Sequence, residues 1–363
     1  MKVNNDIFKN QNIKSRDRRL DILRVLACIS VVITHTCSYL SNTNEYYSFI
    51  WNLCTWISSL NMFAVPIFFM ISGYFLLEKN IDPINFYIKS FKKVILPFIF
   101  WSFIYYLYSK QIWIIFTQNN MPIFKYNEFF TSILTGEPHM WFVFYLISFY
   151  LFLPFFKYLT LNTSLLILYF KIVLILKFIL PYLTFIQPLS PLSNVGNMIG
   201  VSNFFGFSVY FLLGYCITTS KKLTSILKKY SVCIFWLSIM IIPILTTISS
   251  FYGHEKNFVF QNYLSPSILL ASASLFYIFI NLKEIKNPIL IYISKLHKYT
   301  YTVYLSHVLI INLIIFAGFY EYISNIYLAL FMHIVLSILF SFIVSVICEK
   351  IINILLKKKG VAK

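Results

Sequence analysis

The first long apolar stretch of the chain carries three ionisable side chains. It reads "LDILRVLACISVVITHTCSYL" over residues 20–40 and contains Asp21, Arg24 and His35. A membrane-spanning helix normally has no such groups at its centre. Because an imidazole titrates near neutral pH, His35 can accept and return a proton as a catalytic base.

Helical geometry places these three side chains on one face. At 100° per residue, Arg24 and His35 are about 20° apart around the axis and about 16 Å apart along it, and Asp21 lies within about 40° of the same line. Intramembrane ionisable residues are costly and usually face a cavity. The stripe therefore favours a functional role. The alternative is that Asp21 and Arg24 form an interfacial ion pair and that His35 bonds a neighbouring helix.

The composition is that of a membrane protein. The 363 residues are 59% hydrophobic, 20% aromatic and 12% charged, whereas a soluble domain is about 25% charged. The net charge of +18 does not form one patch, so no nucleic-acid partner is expected. The basic clusters stand between apolar runs, and those at the two ends can attract anionic lipid headgroups. The six cysteines are scattered without CxxC, so neither a disulfide framework nor a metal site is expected.

The hydropathy pattern predicts an all-α fold, a polytopic bundle of about ten transmembrane helices of roughly 20 residues each. The predicted organisation is a basic N-terminal segment (1–19), a membrane domain (20–352) and a basic tail (353–363). The loop 110–138 contains "IWIIF", which is expected to lie at the membrane interface or to re-enter. The predicted spans are 20–40, 56–77, 90–109, 139–159, 164–184, 200–219, 231–250, 262–282, 299–318 and 326–352.

The distribution of basic residues predicts the orientation. With a cytoplasmic N-terminus and alternating sides, the inner segments hold 24 of the 30 Lys and Arg residues. The outer loops hold Lys110, Lys125 and Lys256. Cytoplasmic loops of membrane proteins are enriched in Lys and Arg. We therefore expect a multi-pass protein of the cell membrane with both termini cytoplasmic.

Two further spans carry features near their ends. In "VPIFFMISGYFLL", Ser72 and Gly73 permit close backbone approach and Tyr74 adds a hydroxyl; the alternative reading is helix packing through small residues. In "KSFKKVILPF", Lys92 and Lys93 predict a phosphate-binding site at the cytoplasmic mouth. The alternative there is anchoring of the span by positive charges.

Other polar residues fall in later spans. "EPHMWFVFYLISFYLFLP" places His139 and Trp141 at the outer interface, where Trp is common. "YTVYLSHVLI" places His307 about a third of the way in from the cytoplasm, and its role is open between structural and functional. Lys171 and Lys177 are six residues apart, so they point in different directions around their helix and cannot easily share a pocket.

Several of these motifs, taken in order, resemble the acyltransferase-3 family of membrane proteins. They are "DILRVLACISVVITHT", "FFMISGYFLL", "KKVILPF", "HMWFVFYLISFYLFLP" and "YLSH". The likeness runs from about residue 18 to 350 and is greatest to the surface-polysaccharide O-acetyltransferase branch, including the enterobacterial common antigen O-acetyltransferase type. The predicted number of spans also fits this family.

The resemblance implies transfer of an acyl group, usually acetyl, from cytoplasmic acyl-CoA to a hydroxyl of a cell-surface or lipid-linked saccharide. His35 matches the first-helix histidine proposed as catalytic, and Arg24 matches an arginine regarded as essential. Lys92 and Lys93 fall where members carry arginines suspected of touching the donor. Lysines bind phosphate as point charges without the bidentate fork of arginine.

These observations define three sets of candidate residues. His35 is expected to act as a base or as an acyl-carrying nucleophile. A transporter or flippase for a lipid-linked sugar would also explain many spans and intramembrane charges, but it gives no reason for the first-span motif. The candidates are His35, Arg24 and Asp21 for catalysis, Arg24, Lys92 and Lys93 for acetyl-CoA binding, and Ser72, Tyr74, His139, Trp141 and His307 for the acceptor.

Overall fold

A computed structural model describes residues 17–78, 83–108, 126–185 and 189–358, and within these ranges it contains helices and turns but no β-strand. Short π-helical or 3-10 segments join several of the helices. The α-helices are α1 (Arg18–Thr43), α2 (Phe49–Leu60), α3 (Ala64–Leu76), α4 (Pro83–Ser90), α5 (Leu96–Tyr106), α6 (Tyr126–Thr135), α7 (Trp141–Leu151), α8 (Leu153–Leu161), α9 (Thr163–Val173), α10 (Val195–Met198), α11 (Asn203–Thr219), α12 (Lys221–Gly253), α13 (Pro266–Ile280), α14 (Pro288–Lys295), α15 (Thr300–Phe316), α16 (Phe319–Tyr322) and α17 (Ile326–Lys358).

The prediction of an all-α protein with several membrane-spanning helices is confirmed. Within the described ranges, seven helical segments are long and apolar enough to cross a membrane, or nine if each of two bent pairs counts as one span. The predicted number of ten is not confirmed. Apolar side chains such as Leu161, at 84% exposure, cover the outer surface, as expected for helices whose solvent is lipid.

The second predicted span is a broken helix. α2 ends at Leu60, a turn occupies residues 61–63, and α3 begins at Ala64. The Asn61 side chain donates to the Ile57 carbonyl at 2.8 Å, which satisfies one of the acceptors exposed where a helix ends. Pro66 follows in the first turn of α3, where its missing N–H costs little.

Two other predicted spans are bent rather than straight. The axis of α8 makes an angle of 60° with the axis of the preceding segment, Tyr126–Leu151. The axis of α11 makes an angle of 86° with that of the segment Ser190–Met198. Pro154 lies in the first turn of α8. Because proline has no backbone N–H, it cannot donate the hydrogen bond that would continue one helix through Phe152. Gly200, with φ +74°, permits the second bend because glycine adopts the left-handed region without steric cost.

The third predicted span, 90–109, consists of α5 and a π-helical turn over Phe91–Ile95 that joins it to α4. The Tyr301 hydroxyl donates to the Val94 carbonyl within this turn at 2.8 Å. This segment does not belong to the seven or nine spans, and its predicted end at residue 109 lies outside the described residues. The "IWIIF" segment, most of the predicted N-terminal segment and the end of the predicted tail also lie outside them.

α1 lies in the middle of the bundle, with most of its apolar side chains buried. It packs against α2, α3, α15 and α17, and side chains fasten both of its ends. Arg19 donates to the Leu282 carbonyl at 3.1 Å. At the other end, the Lys256 ammonium donates to the carbonyls of Ser41, Asn42 and Asn44 at 2.8–3.0 Å. A cation at a helix C-terminus is favourable because it meets unpaired carbonyls and the negative end of the helix dipole.

α3 and α11 approach each other through glycines. A Cβ atom added at Gly73 would lie 1.7 Å from the Phe211 carbonyl oxygen, and one at Gly214 would lie 1.9 Å from that of Met70. The predicted close backbone approach at the Ser72–Gly73 pair is thereby confirmed for Gly73. Small residues at membrane-helix contacts allow this distance.

Candidate active site

Three histidines from separate segments meet in the interior of the bundle. His35 comes from α1, His139 from the 3-10 turn Pro138–Met140 that precedes α7, and His307 from α15. Their ring centroids are 5.0 Å apart for His35 and His307, 5.2 Å for His139 and His307, and 6.2 Å for His35 and His139. We call these three residues the histidine cluster.

The hydrogen bonds of His307 assign its tautomer. Nδ1 lies 2.7 Å from the Tyr304 carbonyl oxygen, which can only accept, so the proton belongs on Nδ1 and Nε2 presents a lone pair. His307 is fully buried, and Nε2 has no hydrogen-bond partner within the described residues. A buried lone pair without a partner is costly unless a substrate or water uses it.

His139 is held by two tyrosines. Its backbone carbonyl accepts a hydrogen bond from the Tyr304 hydroxyl, and its ring centroid lies 5.2 Å from that of Tyr105. The Tyr105 hydroxyl in turn accepts from the Leu309 N–H at 2.8 Å. The Leu305 carbonyl, to which Leu309 would bond in a regular helix, lies 3.5 Å from His139 Nε2. Tyr105 therefore joins α5 to α15 at the histidine cluster.

The ring of His35 is positioned by packing rather than by hydrogen bonds. It contacts the other two imidazoles, and no hydrogen bond of its nitrogens is found in the described part of the chain. Its neighbour Thr34 donates to the Ser30 carbonyl of α1 itself, at 3.0 Å. His35 is only partly buried. Neither of its ring nitrogens therefore has a hydrogen-bond partner among the described residues.

A second polar group lies near the start of α1. Asp21 Oδ1 is 3.8 Å from His297 Nε2, and His297 Nδ1 lies 2.7 Å from the Ser294 carbonyl. Arg24 is partly buried and interacts electrostatically with Asp21 and Tyr150. Among the described residues its guanidinium forms no hydrogen bond. The alternative predicted from the sequence, an ion pair between Asp21 and Arg24, is not among the salt bridges of the described residues, where Asp21 approaches His297 instead.

Lys92 and Lys93 lie on the π-helical turn before α5 and are both exposed. Val94, the next residue, is bonded to Tyr301 near the start of α15. Tyr301 and Arg24 both interact electrostatically with Tyr150. The two lysines therefore lie at the same end of the bundle as Arg24.

Three of the predicted acceptor-site residues have other surroundings. Ser72 donates to the Phe68 carbonyl of its own helix at 2.8 Å. Tyr74 packs against Phe276 and interacts electrostatically with Arg19, at the opposite end of α1 from Asn44. Trp141 packs against Phe207 and Tyr263. Of the five predicted acceptor-site residues, His139 and His307 are the two that contact His35.

The sequence analysis did not single out Tyr105, Tyr304 or His297. Tyr304 precedes His307 by three residues, a spacing that places both on one helix face, so a signal for it existed. Tyr105 is one of many tyrosines in an aromatic run and has no distinguishing spacing. His297 is separated from α1 by most of the chain.

Lys177 has a structural explanation in the fold. It is buried at 5% exposure, and its ammonium donates to Asn197 Oδ1 at 3.0 Å. Lys171 is exposed. The two lysines thus point into different surroundings, which confirms that they do not share a pocket.

Three neighbouring imidazoles could in principle bind a metal ion. Within the described ranges, however, no group of three His, Cys, Asp or Glu residues is arranged to hold one. Proton transfer is the chemistry that these side chains provide directly.

Comparison with known protein families identifies the class. The profile of the family described as the acyltransferase domain (Acyl_transf_3) matches residues 17–350, which is most of the chain. The protein belongs to this family of acyltransferases. No curated protein and no solved structure matches the chain.

Proposed function

We propose that this protein is an integral-membrane O-acyltransferase that moves an acetyl group from cytoplasmic acetyl-CoA to a hydroxyl of a cell-surface or lipid-linked saccharide. It is proposed to lie in the cell membrane with both termini cytoplasmic, as a member of the surface-polysaccharide O-acetyltransferase branch. The observation that carries the proposal is the meeting of three imidazoles around His35, on a helix whose other end presents Arg24.

Arg24, Lys92 and Lys93 form the donor end of the proposed site. A guanidinium without hydrogen bonds in a partly buried position is suited to the phosphates of CoA, because charge-assisted hydrogen bonds are the strong ones. The exposed lysines add positive charge around the entrance. Arg24 and His35 are about 16 Å apart along α1. A donor whose phosphates and thioester are joined by a long flexible arm can contact both.

The histidine cluster supplies the chemistry of transfer. The acceptor oxygen forms a bond to the acyl carbon, the carbon–sulfur bond breaks, and the hydroxyl proton must reach the thiolate. His35, with both nitrogens free of protein hydrogen bonds, takes that proton and returns it to the sulfur. The ring of His307 lies beside it, with an Nε2 that has no hydrogen-bond partner among the described residues. Alternatively, His35 attacks the thioester carbon and carries the acetyl group briefly as an acyl-imidazole, while its own N–H proton passes to the departing thiolate. The acceptor hydroxyl then attacks this carbon, the carbon–nitrogen bond breaks, and the hydroxyl proton returns to the His35 ring by way of His307.

Substitution of His35 tests this function. His35→Gln and His35→Ala are expected to abolish O-acetylation of surface glycans at unchanged protein abundance. His333→Gln is the control, because His333 is a histidine buried in a membrane helix and bonded to Tyr320 at 2.6 Å, outside the cluster. Wild-type acetylation by the His35 variants would contradict the mechanism.

The donor can be tested with purified protein. Incubation with radiolabelled acetyl-CoA is expected to yield labelled glycan or labelled protein and free CoA. A transporter or flippase would move the sugar without consuming the thioester. Release of CoA that depends on both His35 and the glycan distinguishes the two functions.

A further inference from the structure

Two cysteines of consecutive helices lie at the same depth in the bundle. Cys37 precedes the end of α1 at Thr43 by six residues, and Cys54 follows the start of α2 at Phe49 by five. At 1.5 Å per residue, they are therefore about 9 and 7.5 Å from the loop that joins the two helices. Because this short loop connects helices that pack against each other, the helices run antiparallel and bring the two cysteines to the same level.

The two thiols also face each other. Both cysteines are completely buried and belong to one cluster of side chains, and the side chain of Cys37 is hydrogen-bonded to that of Cys54. The Ser58 hydroxyl, one helical turn beyond Cys54, interacts with the Cys37 thiol as well. Two sulfur atoms in contact need only a small rotation of their side chains to reach the distance of a disulfide bond, about 2.05 Å.

The remaining cysteines of the chain lie apart from one another. Cys28 is nine residues before Cys37 on α1, and its thiol donates to the Thr300 carbonyl at 3.5 Å. The other three belong to three different helices, and they are Cys216 on α11, Cys233 on α12 and Cys348 on α17. In the described part of the chain, the pairing of thiols is thus confined to α1 and α2.

An oxidant can reach this pair while the chain is being inserted into the membrane. In the folded protein the pair is covered by apolar side chains of α17, among them Leu330 and Ile334. These residues follow Cys54 by more than 250 positions in the sequence. Because a chain folds progressively from its N-terminal part during synthesis, the α1–α2 hairpin is complete before α17 can cover it.

We propose that Cys37 and Cys54 form a disulfide bond that joins the outer parts of α1 and α2. The proposal goes beyond acyl transfer and rests on the proposed orientation, which places this part of α1 toward the outer side of the membrane. Disulfides form and persist in oxidising compartments outside the cytoplasm.

The bond forms by thiol–disulfide exchange, and the oxidant is the disulfide of a thiol oxidase of the outer compartment. One cysteine thiolate attacks a sulfur of this disulfide and displaces its second sulfur as a thiolate. The other cysteine thiolate then attacks its partner's sulfur in the mixed disulfide. The bond between Cys37 and Cys54 forms, and the oxidant leaves as a dithiol with two electrons and the two protons of the cysteines.

The disulfide would act on the helix that carries His35. Cys37 lies two residues beyond His35 on α1, and the Lys256 ammonium bonds the carbonyls at the same end of this helix. A covalent bond to α2 adds to these hydrogen bonds a link that does not break when the helix ends fluctuate. It also closes a loop of 16 intervening residues, which restricts the unfolded chain and so stabilises the folded one.

Mass spectrometry of the full-length protein tests the bond directly. The protein is isolated from membranes in the presence of N-ethylmaleimide and denatured in the same reagent, so that buried thiols are labelled too, and it is then digested without reductant. We expect one cross-linked peptide pair that contains Cys37 and Cys54 and is lighter by two hydrogen atoms than the two free peptides. The other four cysteines should carry the label. Labelling of all six cysteines overturns the proposal.

Thermal unfolding tests the bond by a double-mutant cycle. Cys37→Ser and Cys54→Ser should each lower the unfolding temperature by several degrees, and the double variant should lower it no further, because either single substitution already removes the bond. Cys28→Ser is the matched control, because it also replaces a fully buried thiol of α1, and it should have a smaller effect. Losses that add up in the double variant, or equal losses in all three single variants, contradict the disulfide.

The failure of the disulfide and the failure of the proposed function give different results. Consumption of acetyl-CoA is measured on the same preparations. If the wild type transfers acetyl groups while all six cysteines are labelled, the proposed function stands and the disulfide fails. If the cross-linked peptide is found in a protein that never consumes acetyl-CoA, the disulfide stands and the transferase function fails.

Discussion

The rings of His35 and His307 lie 5.0 Å apart between centroids, although one residue is on the first helix and the other on α15. His307 has its Nδ1 proton directed at the Tyr304 carbonyl, which leaves a lone pair on the nitrogen that the fold does not use. This pairing places an acceptor nitrogen without a hydrogen-bond partner in the ring next to the first-helix histidine.

His307→Gln is expected to lower kcat for acetyl transfer by about 100-fold or more, the usual contribution of a positioned base. KM for acetyl-CoA should change little, because His307 lies away from the proposed donor end. Steady-state kinetics on purified protein measure both constants. His333→Gln serves again as the control and should retain nearly the wild-type kcat. Equal losses in the two variants would mean that His307 only supports the fold.

Arg24→Gln is expected to lower kcat/KM for acetyl-CoA by about 10- to 100-fold, as for loss of a hydrogen bond to a charged group. The same variant should use acetyl-pantetheine, which lacks the nucleotide phosphates, as well as the wild type does. A comparison of the two donors separates phosphate binding from a purely structural role. Equal losses with both donors would contradict the assignment of Arg24.

Lys92→Gln and Lys93→Gln together are expected to raise KM for acetyl-CoA only a few-fold, because exposed charges interact weakly across water. The effect should decrease as ionic strength rises and the charges are screened. KM measured at low and high salt tests this. An effect as large as that of Arg24→Gln, or one independent of salt, would show that the lysines bind the donor directly.

Gly73→Ala and Gly214→Ala are each expected to destabilise the protein by about 1–3 kcal/mol or more, the cost of overpacking a close contact. The added methyl groups would lie 1.7 and 1.9 Å from carbonyl oxygens. Thermal unfolding in detergent or nanodiscs measures the change. Gly253→Ala is the control, because its Cβ would meet only Glu255 at 3.6 Å. An unchanged unfolding temperature in the first two variants would contradict the described contact of α3 with α11.

Lys177→Met is expected to leave acetyl transfer unchanged and the unfolding temperature equal or higher. Replacement of a buried charged group by an apolar side chain of similar length is often neutral or stabilising, and the partner Asn197 is exposed. Activity and thermal unfolding are compared with those of Lys171→Met, at an exposed position. A selective loss of activity in Lys177→Met would assign this lysine a role in transfer.

The sequence predicts much of the fold because hydropathy reports on each helix separately. The span predicted at 20–40 corresponds to α1, and those at 164–184 and 262–282 correspond to segments found at Thr163–Phe185 and Val259–Ile280. The breaks at 61–63 and at Phe152 escape the same reasoning. Averaged apolarity continues across them, and proline and glycine also occur in unbroken membrane helices.

The sequence predicts the candidate site only where the residues concerned lie on the same helix, because their spacing then fixes their relative positions. The spacing of Arg24 and His35 lies within α1 and is visible in the sequence. The approach of His139 and His307 depends on how α7 and α15 pack against α1, which no local pattern records.

The hydrogen bonds that hold the two ends of α1 both come from chain segments next to α13. Arg19 bonds the chain just after that helix, and Lys256 comes from the chain shortly before it. A movement of α1 relative to α13 would have to break the contacts of Arg19 and of Lys256 together. These contacts therefore hold α1 in a fixed position. Alternating access by movement of α1 is therefore disfavoured. Under the proposed function, the acyl group is therefore expected to move past imidazoles that keep their positions.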